Sequence, residues 1–132
     1  MGENPRTILI VEDDEGMQSV YTAALRHRGY RVLTANHGAE GVHLARRNRP
    51  DLILLDIRMP VMDGWGAAEY LKADPQTRDV PICAISAFEA RPGELDPADC
   101  RFFDCFLMKP IEPRELVAEV DRRLGGAHAP YA

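Results

Sequence analysis

Residues 50–64 read PDLILLDIRMPVMDG, and the first half of that stretch decides the architecture. Leu52 to Leu55 is an aliphatic run without polar alternation, entered from Pro50-Asp51 and left at Asp56. So short and uniform a run suits a strand covered on both faces, the condition of a parallel sheet between helices. Asp56 then stands at the carboxyl end of a buried strand, where a lone carboxylate is costly unless the fold uses it.

Outward from that run, similar ones recur at Thr7–Val11 (TILIV), Arg31–Ala35 (RVLTA), Val80–Ile85 (VPICAI) and, more loosely, Phe103–Met108 (FDCFLM). Helical spacing fills most of the gaps. Val20, Tyr21, Ala24 and Leu25 share one face of a first helix, with Gly29 as its C-cap. Gly38, Val42 and Ala45 share a face of a second, with Asn36 as the expected N-cap. Ala67, Ala68, Leu71 and Lys72 continue a third until Asp74-Pro75 breaks it. The last helix has Pro113 in its first turn, runs to about Leu124 and stops at Gly125-Gly126. The gap from Phe88 to Cys100 differs, because it carries Pro92, Gly93 and Pro97. An interior proline costs a helix about 3 kcal/mol, so an irregular fourth helix is expected there.

This alternation predicts an α/β fold: a doubly wound, five-stranded parallel sheet of order 2-1-3-4-5, flavodoxin-like, with helices on both faces. The 132 residues suit one domain. Its expected extent is 1–124, with 125–132 a short flexible tail. Apolar residues at 45% and charged residues at 28% are ordinary for a packed domain and argue against disorder. The net charge of −5 gives no reason to expect direct nucleic-acid or anionic-membrane binding. Arg26, Arg28, Arg31, Arg46, Arg47 and Arg49 fall at helix ends, where cations complement the helix dipole. His27, His37, His43 and His128 have no ligand spacing. Cys83, Cys100 and Cys105 form no CxxC pair and read as small buried residues of a reduced, cytoplasmic chain. No apolar run approaches the ~18 residues of a membrane span, and MGENPRTILIVEDDE lacks a signal-peptide pattern.

In such a sheet, function gathers beyond the carboxyl ends of the strands. The first strand ends in Glu12-Asp13-Asp14, the third in Asp56, the fourth in Ser86 and the fifth in Lys109-Pro110. Order 2-1-3-4-5 makes the first and third strands neighbours, so Asp13 and Asp56 converge. Clustered carboxylates repel unless a hard cation neutralises them, and Mg2+ takes oxygen ligands. Carboxylate, cation, hydroxyl and lysine together are the parts of a phosphoryl-transfer site. Asp56 would be its nucleophile, Ser86 a donor, and Lys109 a counter-charge. Singly, a strand-end Asp is often a cap, a Lys a solvated charge and a Ser a turn former. Four of them at four strand ends point to a built site.

ILIVEDD, PDLILLDIRMPVMDG, VPICAISA and MKP, in that order, resemble the receiver domain of two-component response regulators, notably single-domain, chemotaxis-regulator-like receivers. The resemblance runs from residue 6 to about 124, and the separations fit: 43 residues from Asp13 to Asp56, 30 to Ser86 and 23 to Lys109. It implies that Asp56 accepts a phosphoryl group from a histidine kinase or histidine phosphotransfer protein. Mg2+ would be held by Asp13, by Asp56, by Glu12 through water and by the backbone carbonyl of Arg58. Ser86 would be the switch hydroxyl, Lys109 would pair with the phosphate, and Phe106 would be the switch aromatic. Met59-Pro60 and Asp63-Gly64 match the loop after the acceptor and the start of the third helix.

Arg58, Ala87 and Phe88 would flank access to the phosphate. Phe88 would exclude water, Arg58 would hold the group and Ala87 would leave room for the donor, so self-dephosphorylation would be slow. The expected output is contact with a downstream protein target rather than turnover of a substrate. Two departures stand out: Phe102-Phe103 where the family usually has Gly-Ala, and the prolines of the fourth gap. The alternatives are a pseudo-receiver interaction module that is not phosphorylated and a haloacid-dehalogenase-like phosphatase. The latter needs a second Asp where this chain has Arg58, and the former typically loses a residue that this chain keeps.

Overall fold

The third strand of the computed structural model, β3 (Leu52–Asp56), is buried at every residue, as an uninterrupted aliphatic run requires. The structure describes residues 4–57, 64–87 and 103–127. Around β3 stand β1 (Thr7–Val11), α1 (Glu15–Arg28), β2 (Arg31–Ala35), α2 (Gly38–Asn48), α3 (Gly64–Ala73), β4 (Ile82–Ala87), β5 (Cys105–Lys109) and α4 (Pro113–Leu124). The strands form one sheet of order β2-β1-β3-β4-β5, every neighbouring pair parallel, as expected. The expected irregular helix between Phe88 and Cys100 lies outside the described residues.

Alternate residues of each strand leave opposite faces, which divides the core in two. Leu9, Val11, Ile53 and Leu55 pack with Val42 and Ala45 of α2 and with Ala67, Ala68 and Leu71 of α3. Ile8, Ile10, Leu52 and Leu54 pack with Tyr21 and Leu25 of α1 and with Leu116 and Val120 of α4. The helix α2 lies close on the sheet: a Cβ at Gly41 would stand 2.7 Å from Cγ2 of Val11. Gly29 closes α1 at φ 113°, a left-handed conformation that glycine adopts without a Cβ clash.

Several expectations need correction. Val20 is exposed rather than on the packed face of α1, which buries Tyr21, Thr22 and Leu25. His37, not Asn36, caps α2, its Nδ1 accepting from the Glu40 N–H at 3.2 Å. Asn36 is otherwise engaged, because its Oδ1 accepts from Gln18 Nε2. The fourth strand begins at Ile82 rather than Val80, since Pro81 has no N–H to give a ladder. Asp104 fixes that start, its Oδ2 accepting from the Ile82 N–H at 2.8 Å while its own N–H donates to Ile82 O at 2.8 Å. That bracket also delays β5 to Cys105, leaving Phe103 and Asp104 as its approach. Beyond α4, Ala127 is buried, and its carbonyl accepts from the Arg6 N–H at 2.7 Å.

Candidate functional site

The chain leaves β1 at Glu12, whose N–H donates to Ala35 O at 3.0 Å and thereby continues the β1–β2 ladder. That pairing carries the Glu12 side chain inward to 3% exposure. Asp14 turns the chain into α1 as its N-cap, Oδ1 accepting from the Met17 N–H at 3.1 Å. Asp13 stands exposed between the two. One strand away, Asp56 is the last residue of β3 and 5% exposed. Carboxylate oxygens of Glu12, Asp13 and Asp56 lie within 4.8 Å of one another.

Lys109, at the end of β5, reaches across β4 into this group. Its Nζ donates to Glu12 Oε1 at 2.5 Å and to Asp56 Oδ2 at 3.4 Å. The peptide bond that follows it, Lys109-Pro110, is cis. Burial works to lower the Lys109 pKa, but the bonds and attraction to the two carboxylates outweigh it, and the pKa is raised. Glu12 is pushed up from 4.5 to about 7. Burial is the main cause, a hydrogen bond with Asp56 and repulsion by it add to the rise, and Lys109 offsets part of it. Among the described residues, the pocket sets three carboxylates against one ammonium. Three hard oxygen donors in so small a space fit a divalent cation such as Mg2+, which binds through one or two carboxylates and keeps its waters.

Of the residues expected here, the fold brings together Glu12, Asp13, Asp56 and Lys109. Ser86 and Ala87 are the last two residues of β4, opposite Met108 and Lys109 in the register, so their backbone reaches the same end of the sheet. Their side chains, and Arg58, Met59, Pro60, Asp63 and Phe88, lie outside the described residues. Phe106 is half exposed on β5, its ring centroid 5.2 Å from that of Phe103 at an interplanar angle of 58°. Phe103 is buried in the core beside Ile82 and Ala84, so the departure from a small residue is absorbed by packing. Phe102 lies outside the described residues.

Two contributors escaped the sequence reading. The Nε2 of Gln18 lies 3.1 Å from Glu12 O, 3.2 Å from Ala35 O and 3.2 Å from Asn36 Oδ1. Its two protons are shared among three acceptors, and they tie the acidic turn to the end of β2. The available signal was a long amide one turn into the helix that follows the acidic cluster. Tyr21 is fully buried, and its hydroxyl has no hydrogen-bond partner among the described residues. Burial raises its pKa, and the charges of Lys109, Glu12, Asp56 and Asp14 also act on it, which places it beneath the acidic pocket. Spacing marked Tyr21 as core, and nothing in the sequence told where its oxygen would end.

The family described as the response regulator receiver domain matches residues 8–121. The polar-differentiation response regulator DivK of Brucella anthropi is 31% identical over 125 residues, covering 93% of this chain and 99% of DivK. Among solved structures, the receiver domain of the sensor histidine kinase PA1611 from Pseudomonas aeruginosa PAO1 is 38% identical with a TM-score of 0.80. It covers 93% of this chain and 100% of that one, and has a magnesium ion coordinated in its active-site cleft. The Vibrio cholerae chemotaxis protein CheY4 superposes with a TM-score of 0.82 at 27% identity, covering 92% of this chain and 100% of that one.

Proposed function

This chain belongs to the response regulator receiver domains, the signalling phosphoacceptors of two-component systems, and on that premise we propose that Asp56 is its phosphorylation site. The observation that carries the proposal is the joining of Glu12, Asp13, Asp56 and Lys109 at one end of the sheet. The donor is a histidine kinase or a histidine phosphotransfer protein. An Asp56 oxygen attacks phosphorus, the phosphorus–nitrogen bond to the donor imidazole breaks, and the imidazole nitrogen keeps the electron pair.

Glu12, Asp13 and Asp56 would hold Mg2+, with the Arg58 carbonyl added by the resemblance. When bound, the ion supplies positive charge against the phosphoryl oxygens. Lys109 holds the Glu12 and Asp56 carboxylates before transfer and pairs with the phosphoryl group afterwards. Ser86 donates to that group from the end of β4, and Phe106 follows as the aromatic switch. Phe88 shields the phosphoryl group from water, Arg58 holds it as a charge-assisted donor, and Ala87 leaves space for the donor ring. Self-dephosphorylation is then slow, and the phosphorylated form acts by contact with a downstream protein. Among the described residues no helix is long and apolar enough to cross a membrane, and a cytoplasmic signal between proteins is the proposed setting. Residues 1–124 are its receiver unit and 125–132 its tail.

Acetyl phosphate with and without Mg2+ tests this by intact mass. Wild type should gain one phosphoryl group only with Mg2+, and Asp56→Asn should gain none. Equal labelling of the two proteins would sink the assignment, and absence of labelling in both would favour the pseudo-receiver. Timing the loss of label extends the test: Phe88→Ala and Arg58→Ala should lose it faster. Unchanged rates in both would remove the shielding.

A further inference from the structure

The strands β4 and β5 are neighbours, and Cys83 lies directly opposite Cys105 in their register. Both belong to the core on the α1 and α4 side of the sheet, so both side chains leave the sheet in the same direction. Opposed residues on adjacent strands stand ~4.8 Å apart, within the 4.4–6.8 Å Cα separation that a disulfide spans. The two thiols act on each other's titration, their pairing raising the Cys83 pKa and lowering that of Cys105. Nothing in the phosphoacceptor chemistry uses either group.

We propose that Cys83 and Cys105 are a reversible redox site, a dithiol that closes to a disulfide when the protein meets a hydroperoxide. The Cys105 thiolate attacks one peroxide oxygen, the oxygen–oxygen bond breaks, and the alcohol leaves with a proton. Cys105 is then a sulfenic acid. The Cys83 sulfur attacks that sulfur, the S–S bond forms, and hydroxide departs with the Cys83 proton as water. Two electrons pass from the two sulfurs to the peroxide, giving one disulfide, one alcohol and one water.

Access is through Cys105, which is 8% exposed against 1% for Cys83. It lies on β5, an edge strand of the sheet, where local opening is easier than at the centre. Opposed Cβ atoms on adjacent strands stand about 4.5–5.5 Å apart, farther than the roughly 3.8 Å of a relaxed disulfide, so closure draws β4 and β5 together. A bond formed under such strain is readily reduced, which makes the site reversible. The tie would join the strand that ends in Ser86 and Ala87 to the one that carries Phe106 and Lys109.

The test treats the folded full chain with hydrogen peroxide at neutral pH, followed by intact mass and peptide mapping under thiol-blocking conditions. The expected result is the loss of two hydrogens, a Cys83–Cys105 cross-linked peptide and full recovery with dithiothreitol. Cys100→Ser should behave identically, which removes the third cysteine as a partner. Asp56→Asn should also cross-link, so the result is independent of phosphorylation. Added oxygen without a cross-link, a bridge that includes Cys100, or a bridge that forms only in urea would overturn the proposal.

Discussion

Glu12 shows how a single residue couples the site to stability. Its carboxyl is nearly dry, and its pKa of about 7 exceeds the ordinary 4.5, mainly through burial and then through Asp56. The native state therefore binds a proton that the unfolded state releases. The resulting stabilisation is complete below about pH 4.5 and is lost as pH rises through about 7. At 1.36 kcal/mol per unit, the loss is on the order of 3 kcal/mol. In EDTA, the urea midpoint should fall between pH 5 and pH 8. Glu12→Gln, which keeps the shape without the charge, should remove most of the fall, and an equal fall in the variant would place the titration elsewhere. At this scale the acidic residues and Lys109 were legible because each ends a strand. Gln18 was not, because its role depends on two carbonyls that only the packing of α1 against β2 brings within reach. Asn36 was misread as a cap for the same reason.

Elements were legible where one physical signal dominated. β1 and β2 fall where their apolar runs do, and α4 runs from its proline to its glycine pair. The boundaries of β4 and β5 depended instead on Asp104 meeting Ile82, a contact between segments 22 residues apart. The packing of α2 on β1 was equally hidden, and it carries a prediction. Gly41→Ala gains about 1 kcal/mol of helix propensity. Its new methyl, however, would stand 2.7 Å and 3.1 Å from the two Val11 methyls. Val11 is β-branched and stiff, so the methyl cannot swing aside and α2 must lift. Overpacking of this kind costs about 1–3 kcal/mol, so the net change in urea unfolding should be destabilising. Val11→Ala should reverse part of that loss in the double variant. Additive losses would show that the two positions do not press on each other.

The whole molecule sets the order in which these terms act. Placing β1 beside β3 sets Glu12 and Asp13 against Asp56, and only Lys109 answers their charge among the described residues. Elsewhere the fold is closed by ties between its ends. Ala127 accepts from Arg6, and Asp121 of α4 accepts from Arg28 and from the Tyr30 hydroxyl. The acidic pocket is therefore a local weakness in a scaffold that can hold it, and a ligand of the native pocket should return stability to the entire domain. A ligand at one hundred times its dissociation constant adds about 2.7 kcal/mol. At roughly 3–6 °C per kcal/mol for a domain of this size, saturating Mg2+ at pH 8 should raise Tm by on the order of 10 °C. At pH 5.5 the rise should be smaller, because the proton on Glu12 must be displaced before the carboxylate can help hold the ion. Asp13 is exposed and serves as no cap, so Asp13→Asn should leave the metal-free Tm nearly unchanged while abolishing the rise. Calorimetry on both proteins at both pH values separates the contributions. A rise of equal size in Asp13→Asn would mean that the ion binds somewhere other than the strand-end pocket.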